Sequence, residues 1–291
     1  MTETASETNE VMGAYQTGRA LIGWMTADEA ALSLSGRRTD IKNKEEHAQR
    51  AEKARAAVAA RPTWVDKAAV TNASPPELDG HIAALRQNVA SAQYFAEGWQ
   101  VSVVDLSSVC AAQPQIKTSQ STQRVEAIVA NNILSLAAIS LPIAAPTAFP
   151  ALFDQSKNAW IFSSPNPNLR ITGNFSGQVA PGQQGYGFMV GISTSFLQVA
   201  LYKNRYLLRD GYHRAFGFLS RGIARVPAFF REITRYEELG FPAGMLPQDS
   251  YLGQRPPTLQ DYLDESVSAE VQVPMTEKMV LVQALDFTTL G

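Results

Sequence analysis

The sequence predicts an α+β protein in which a helical N-terminal region packs on a small mixed sheet. Three observations carry that expectation. Two early stretches, residues 40–61 and 77–98, are rich in strong helix formers and place apolar residues at three-and-four spacing. Gln100 to Val109 is dense in β-branched residues, as strands are. Val199 to Phe230 reads as hairpin, glycine turn, helix and strand in succession. The 291 residues, 45% of them hydrophobic, can bury a real core as one large domain or two smaller ones.

The first helix, IKNKEEHAQRAEKARAAVAAR, carries Ala48, Ala51, Ala54, Arg55 and Val58 along one side, and Pro62 stops it. A second helix is expected after Pro75-Pro76, with Glu77 in its first turn. Ile82, Leu85, Val89 and Ala92 share its face, and Gly98 ends it. Strand signals follow at Gln100–Val109, at the apolar run Ala137–Leu141, and at Trp160–Ser163 and Leu169–Thr172 on either side of the turn-rich SPNPN. Gly182–Gly187, GQQGYG, reads as loop and has no lysine of a P-loop. Two short helices are expected at Arg235–Leu239 and Leu259–Leu263, and a closing strand at Met279–Phe287.

Composition excludes several classes. A formal charge of -2 gives no global positive field for coating nucleic acid. The opening MTETASETNEV lacks the basic and apolar regions of a secretory signal, so a cytoplasmic location is expected. Leu134–Phe149 is apolar but is broken by Pro142 and Pro146 and is too short to span a bilayer, so no membrane role is expected. The single Cys110 forbids an intramolecular disulfide and a cysteine-based zinc cluster, and it reads as an inert thiol. His47 and His81 lie on helices with no second ligand nearby and read as structural.

The chemistry concentrates in VALYKNRYLLRDGYHRAFGFLSRGIARVPAFF, residues 199–230. Lys203-Asn204 is the hairpin turn, and Asp210-Gly211 turns the chain into a helix starting at Tyr212 or His213. Ala215, Phe216, Phe218 and Leu219 form its buried face, and Gly222 ends it before Val226-Pro227 enters a strand. A helix N-terminus with a basic side chain favours an anion. Gly211 lets backbone approach a ligand, Arg214 can grip phosphate oxygens in a fork, and His213 adds a donor. Between Leu201 and Arg235, eight bases stand against Asp210 and Glu232, a local +6 that leaves -8 on the remainder. The plain alternatives are that His213-Arg214 is a surface cap, that Asp210 is a turn residue, and that Tyr206 and Phe216 are core. Tyr212, exposed by position, could stack on a base.

This segment resembles the ParB/sulfiredoxin superfamily, whose members share a hairpin, a glycine turn and a helix with a pattern like D-G-x-H-R-x-x-A. Asp210-Gly211-Tyr212-His213-Arg214 matches its first five places, and Gly222 with Val226-Pro227 matches the trailing G…VP. WQVSVVDLSSVCAAQPQI is similar, more weakly, to the family's opening strand. The match covers about a tenth of the chain. It implies a ParB/sulfiredoxin-like core at 99–235, between a helical region at 1–98 and an extension at 236–291 that returns a strand to the sheet.

The resemblance further implies a nucleoside triphosphate with Mg²⁺. Gly211, Tyr212, His213 and Arg214 would bind it, and Asp210 would hold the metal. His213 and Arg214 would stabilise phosphate charge for transfer or hydrolysis. Tyr212 stands where the sulfinic acid reductases carry their reactive cysteine, which disfavours that reaction. The serine kinases of the superfamily use the closest form of the box together with a carboxylate base. Glu97, Asp105 and Glu126 lie in the general region of that base, and none of them matches it. No reading helix follows the core, so sequence-specific DNA binding is not expected. The alternative is a non-catalytic nucleotide sensor or partner-binding protein, with a homodimer open, and nuclease action is weaker still. In either reading Arg214 should face solvent or ligand, and its loss should cost the fold within roughly 0.5 kcal/mol.

Overall fold

A computed structural model of the chain describes residues 15–36, 43–66, 70–126, 128, 132–143 and 148–285. The acidic opening, residues 40–42 of the first expected helix, residues 144–147 of the apolar run and residues 286–287 of the last expected strand lie outside these. The fold is α+β, with helices and several separate sheets.

The described chain opens on β1 (Tyr15–Ala20), a strand inside the region expected to be helical. YQTGRA has no apolar alternation to announce it. It is set between two partners, β4 (Gln115–Lys117) and β12 (Ala269–Pro274), in a three-stranded antiparallel sheet. Helix α1 (Ala27–Leu34) starts at Thr26, whose hydroxyl accepts from the Glu29 N–H while the Glu29 carboxylate accepts from Thr26 N–H, a capping box. Helix α2 (Lys44–Ala59) buries Ala51, Ala54 and Val58, the stripe read from its spacing.

The second expected helix is two. After β2 (Thr71–Ala73), α3 (Asp79–Gln87) stops where Asn88 turns extended, and the Asn88 side chain accepts from Ala90 N–H to cap α4 (Val89–Ala96). Gly98, at φ +87°, closes α4. Strand β3 (Gln100–Asp105) follows as expected. Helix α5 (Thr118–Val125) comes after β4. Ala137–Leu141, expected as strand, falls at the end of α6 (Ile133–Ser140), which Asn132 starts by accepting from Ser135 N–H.

An appendage interrupts the core here. Strands β5 (Ala151–Asp154) and β6 (Ala159–Ser164) pair with each other, and β7 (Leu169–Ala180) pairs with β8 (Gln183–Ile192) in a separate two-stranded ribbon. Of GQQGYG, Gly182 sits in the turn at φ +77° and Gln183–Gly187 is strand and not loop, because the ladder from β7 supplies the hydrogen bonds that Gly185 and Gly187 would otherwise leave to water.

Strands β9 (Gln198–Tyr202) and β10 (Arg205–Asp210) form the expected hairpin, with Lys203 and Asn204 at φ +48° and +60° in its turn. Helix α7 (Tyr212–Ser220) then crosses to β11 (Arg225–Glu232), which lies parallel to β9 and antiparallel to β3. The sheet order is β10-β9-β11-β3-β2. Gly222, at φ +74°, ends α7 in a Schellman motif, with Ile223 N–H bonding Phe218 O and Gly222 N–H bonding Leu219 O. Tyr94, Trp99, Phe196 and Phe229 pack edge and face on this sheet.

Short helical turns stand at Tyr236–Leu239 and Leu259–Leu263, near both expected positions, with α8 (Gln248–Tyr251) between them. The last strand, β13 (Lys278–Gln283), was expected to return to the core sheet, but it pairs with β6 in the appendage. Its apolar residues find matching apolar residues there, Val280 against Phe162 and Leu281 against Ile161.

Candidate functional site

Gly211, Tyr212 and Arg214 of the Asp210–Arg214 box are buried, and Asp210 and His213 are partly exposed. Gly211 has φ +96°, and a Cβ there would stand 2.9 Å from the Leu197 Cα. The close approach that this glycine permits is therefore to the chain's own backbone. Asp210 Oδ1 accepts from Gly211 N–H at 2.6 Å, so the carboxylate serves the turn.

Arg214 departs most from expectation. It is 4% exposed, on the inner side of α7. Its Nη1 donates to the carbonyls of Ser195 (2.8 Å), Ile139 (3.1 Å) and Ser140 (3.3 Å), and its Nη2 to Ser195 Oγ at 2.9 Å. One fixed fork thus ties the end of α6 to the loop before β9, at a place where the Ser140 carbonyl also accepts from Leu197 N–H. Arg214 is turned inward onto the end of α6 and Ser195, while α5, β4 and the 259–263 turn also pack on α7.

Tyr212, expected to be exposed, is also buried. Its hydroxyl donates to Leu208 O (2.7 Å) and accepts from Ala112 N–H (2.9 Å), and burial pushes its pKa up. His213 is half-buried, with Nδ1 3.2–3.3 Å from the backbone O and N of Lys117. The Lys117 ammonium reaches Thr276 Oγ1 at 3.3 Å, and burial pushes its pKa down. The box thus does not offer a triphosphate the grip expected of it: the arginine fork and the tyrosine hydroxyl are engaged with the chain itself. Among the described residues no group of three or more His, Cys, Asp or Glu is placed to hold a metal ion.

Six of the eight bases behind the local +6, Arg214 among them, are engaged within the chain. Arg205 pairs with Asp66 at 2.7 Å, Arg221 donates to Val125 O, and Arg231 and Arg235 both pair with Glu238. Arg209 donates to Leu239 O (2.8 Å) and Gln198 Oε1 (2.7 Å) and lies 5.3 Å above the Trp99 ring. Positive charge gathered in the sequence is distributed over carbonyls and carboxylates in space.

One cleft remains open beside the box. It has a volume of about 890 Å³ and lies between α4, the foot of the β7–β8 ribbon and Arg209. That volume is in the range of small-molecule sites. Asn88, Gln93 and Glu97 line the α4 side, Arg170 and Thr172 the β7 side, and Ser193 and Thr194 follow β8. Arg170 Nε donates to Ser193 Oγ at 2.6 Å, and the side chain is otherwise exposed. No family model, characterised protein or solved structure matches the chain.

Of the three carboxylates considered from the sequence, Glu97 lines the cleft, Asp105 caps the turn at Ser107, and Glu126 is exposed. Cys110 is buried, with its backbone bonded to Tyr206 and Leu208, and a His81 ring nitrogen lies 2.9 Å from Leu141 O. Arg170 went unread as a site residue, although the sequence carries a signal for it. It is the single charged residue between Lys157 and Lys203.

Proposed function

We propose that this chain is a binding protein with a ParB/sulfiredoxin-like core, which takes a phosphate-bearing small molecule of nucleotide size in the Arg170–Arg209 cleft. The order β9–β10 hairpin, left-handed Gly211, α7 and parallel β11 supports the core assignment. The observation that carries the ligand reading is the cleft itself: the exposed Arg170 meets Ser and Thr hydroxyls at an opening about 890 Å³ in size, with Arg209 in its wall. Arginine forks with Ser and Thr hydroxyls suit phosphate oxygens, and the Asn88, Gln93 and Glu97 side can bond a base or sugar. Binding without turnover is the reading because Arg214, which would stabilise phosphate charge during transfer, is engaged with backbone.

The test is a titration of wild type and Arg170→Ala with ATP, CTP, GTP and inorganic triphosphate at fixed salt. Trp99 fluorescence reports from beneath Arg209. Wild type should bind one or more of these. Arg170→Ala should bind about ten- to a hundredfold more weakly, the loss of one charge-assisted contact. Binding by neither protein, or equal binding by both, would contradict the proposal.

A further inference from the structure

The charges and donors of the Arg170–Arg209 cleft limit what it can hold. Arg170, Arg209 and Glu97 are the charged residues that line it, a net charge of +1. Arg209 bonds two neutral groups, Leu239 O and Gln198 Oε1, which leave its positive charge in place. Glu97 Oε1 accepts from Gln93 Nε2 at 2.8 Å and sets a carboxylate on the α4 side. The donors for phosphate oxygens gather at the foot of the ribbon. Arg170 Nε gives its hydrogen to Ser193 Oγ at 2.6 Å, so the outer guanidinium nitrogens and the Ser193 O–H remain for a ligand. Thr194 adds a hydroxyl beside them. Thr172 Oγ1 donates to Met189 O at 3.2 Å and has no hydrogen left to give. One guanidinium fork and two hydroxyls match the three oxygens of a single phosphoryl group. The lining also has an apolar part. Val89 on α4 is 94% exposed and Ile171 on β7 is 47% exposed, surface that a base can cover.

We propose that the cleft selects a ligand with one phosphate group on a base-sized apolar body, the class of the nucleoside monophosphates, over the triphosphates. This rests on the cleft being the ligand site. Charge decides between the two classes. A phosphate monoester carries about -1.5 to -2 at pH 7, near the opposite of the cleft. Each further phosphoryl group adds negative charge, and the lining has no further arginine or lysine to meet it. The same added charge is repelled by Glu97, so the carboxylate discriminates against the longer chain. Inorganic phosphate would fill the donors but leave Val89 and Ile171 uncovered, so it should bind more weakly than a nucleotide with one phosphate.

Equilibrium dialysis of the full chain tests this. The ligands are the mono- and triphosphates of adenosine, cytidine and guanosine and inorganic phosphate, at fixed salt, with and without Mg²⁺. In both conditions the best monophosphate should bind wild type roughly tenfold more tightly than its own triphosphate or inorganic phosphate does. Glu97→Gln removes the negative charge at an exposed position. It should keep the melting temperature of wild type and narrow the preference over the triphosphate. A triphosphate bound as tightly as its monophosphate, inorganic phosphate bound as tightly as either, or a preference that Glu97→Gln leaves unchanged would each overturn the selectivity and leave the cleft as the ligand site. Binding of none of these ligands would overturn both.

Discussion

At the scale of the residue, burial decides what the box does. Arg214 and Tyr212 are the types that a phosphate or base site would use, and both are turned inward. The Tyr212 hydroxyl bridges Leu208 O and Ala112 N–H across 100 residues of chain. Tyr212→Phe keeps the ring and removes the bridge, leaving a buried N–H without this acceptor. The expected loss is about 1–3 kcal/mol of stability, read by denaturant unfolding. A variant as stable as wild type would mean that water replaces the hydroxyl. The residue types were legible in the sequence, but their direction was not. Position in the first turn of a helix says that a side chain is near the N-terminus. It does not say which neighbours stand around that turn, and here α5 and the 259–263 turn come from segments far away in sequence.

At the scale of the element, local signals succeeded where the chain satisfies its own hydrogen bonds. The Lys203-Asn204 turn, the start of α7 and its end at Gly222 follow from a few adjacent residues. Elements that depend on distant partners were not legible. Strand β1 needs β4 and β12, and β8 holds its glycines in a ladder only because β7 lies beside it. Gly211 belongs to both groups. The sequence marks it as a turn, and the structure adds the Leu197 backbone 2.9 Å from where a Cβ would stand. Gly211→Ala combines left-handed strain with that clash, so a loss of about 2–3 kcal/mol is expected. Thermal unfolding against wild type checks it, and a shift no larger than that of an ordinary surface substitution would mean that the turn relaxes freely.

At the scale of the whole molecule, the N- and C-terminal stretches share structure. Strand β1 pairs with β12, and Arg61 after α2 bonds Asp261 (2.8 Å) and Asp264 (2.9 Å). Burial opposes the Asp264 charge, but bonds from Ser266 and the Arg61 guanidinium outweigh it and hold the carboxyl below its usual pKa. A folded-state pKa below the unfolded one adds stability that is present above about pH 4 and is lost as pH falls further. Asp264→Asn should therefore melt lower than wild type at pH 7, and the gap should close toward pH 3. A gap that stays constant with pH would assign the effect to packing.

In this protein the box arginine braces the fold while Arg170 meets the ligand. Thermal unfolding of wild type, Arg214→Ala and Arg170→Ala, each with and without nucleotide, tests it most directly. Arg214→Ala should melt well below wild type without ligand, by on the order of 3 kcal/mol for a buried charged donor and the carbonyls it leaves, and should still be stabilised by nucleotide. Arg170→Ala should melt like wild type and lose that stabilisation. The reverse pattern, an Arg214→Ala protein of unchanged stability that no longer responds to nucleotide, would return the ligand to the box.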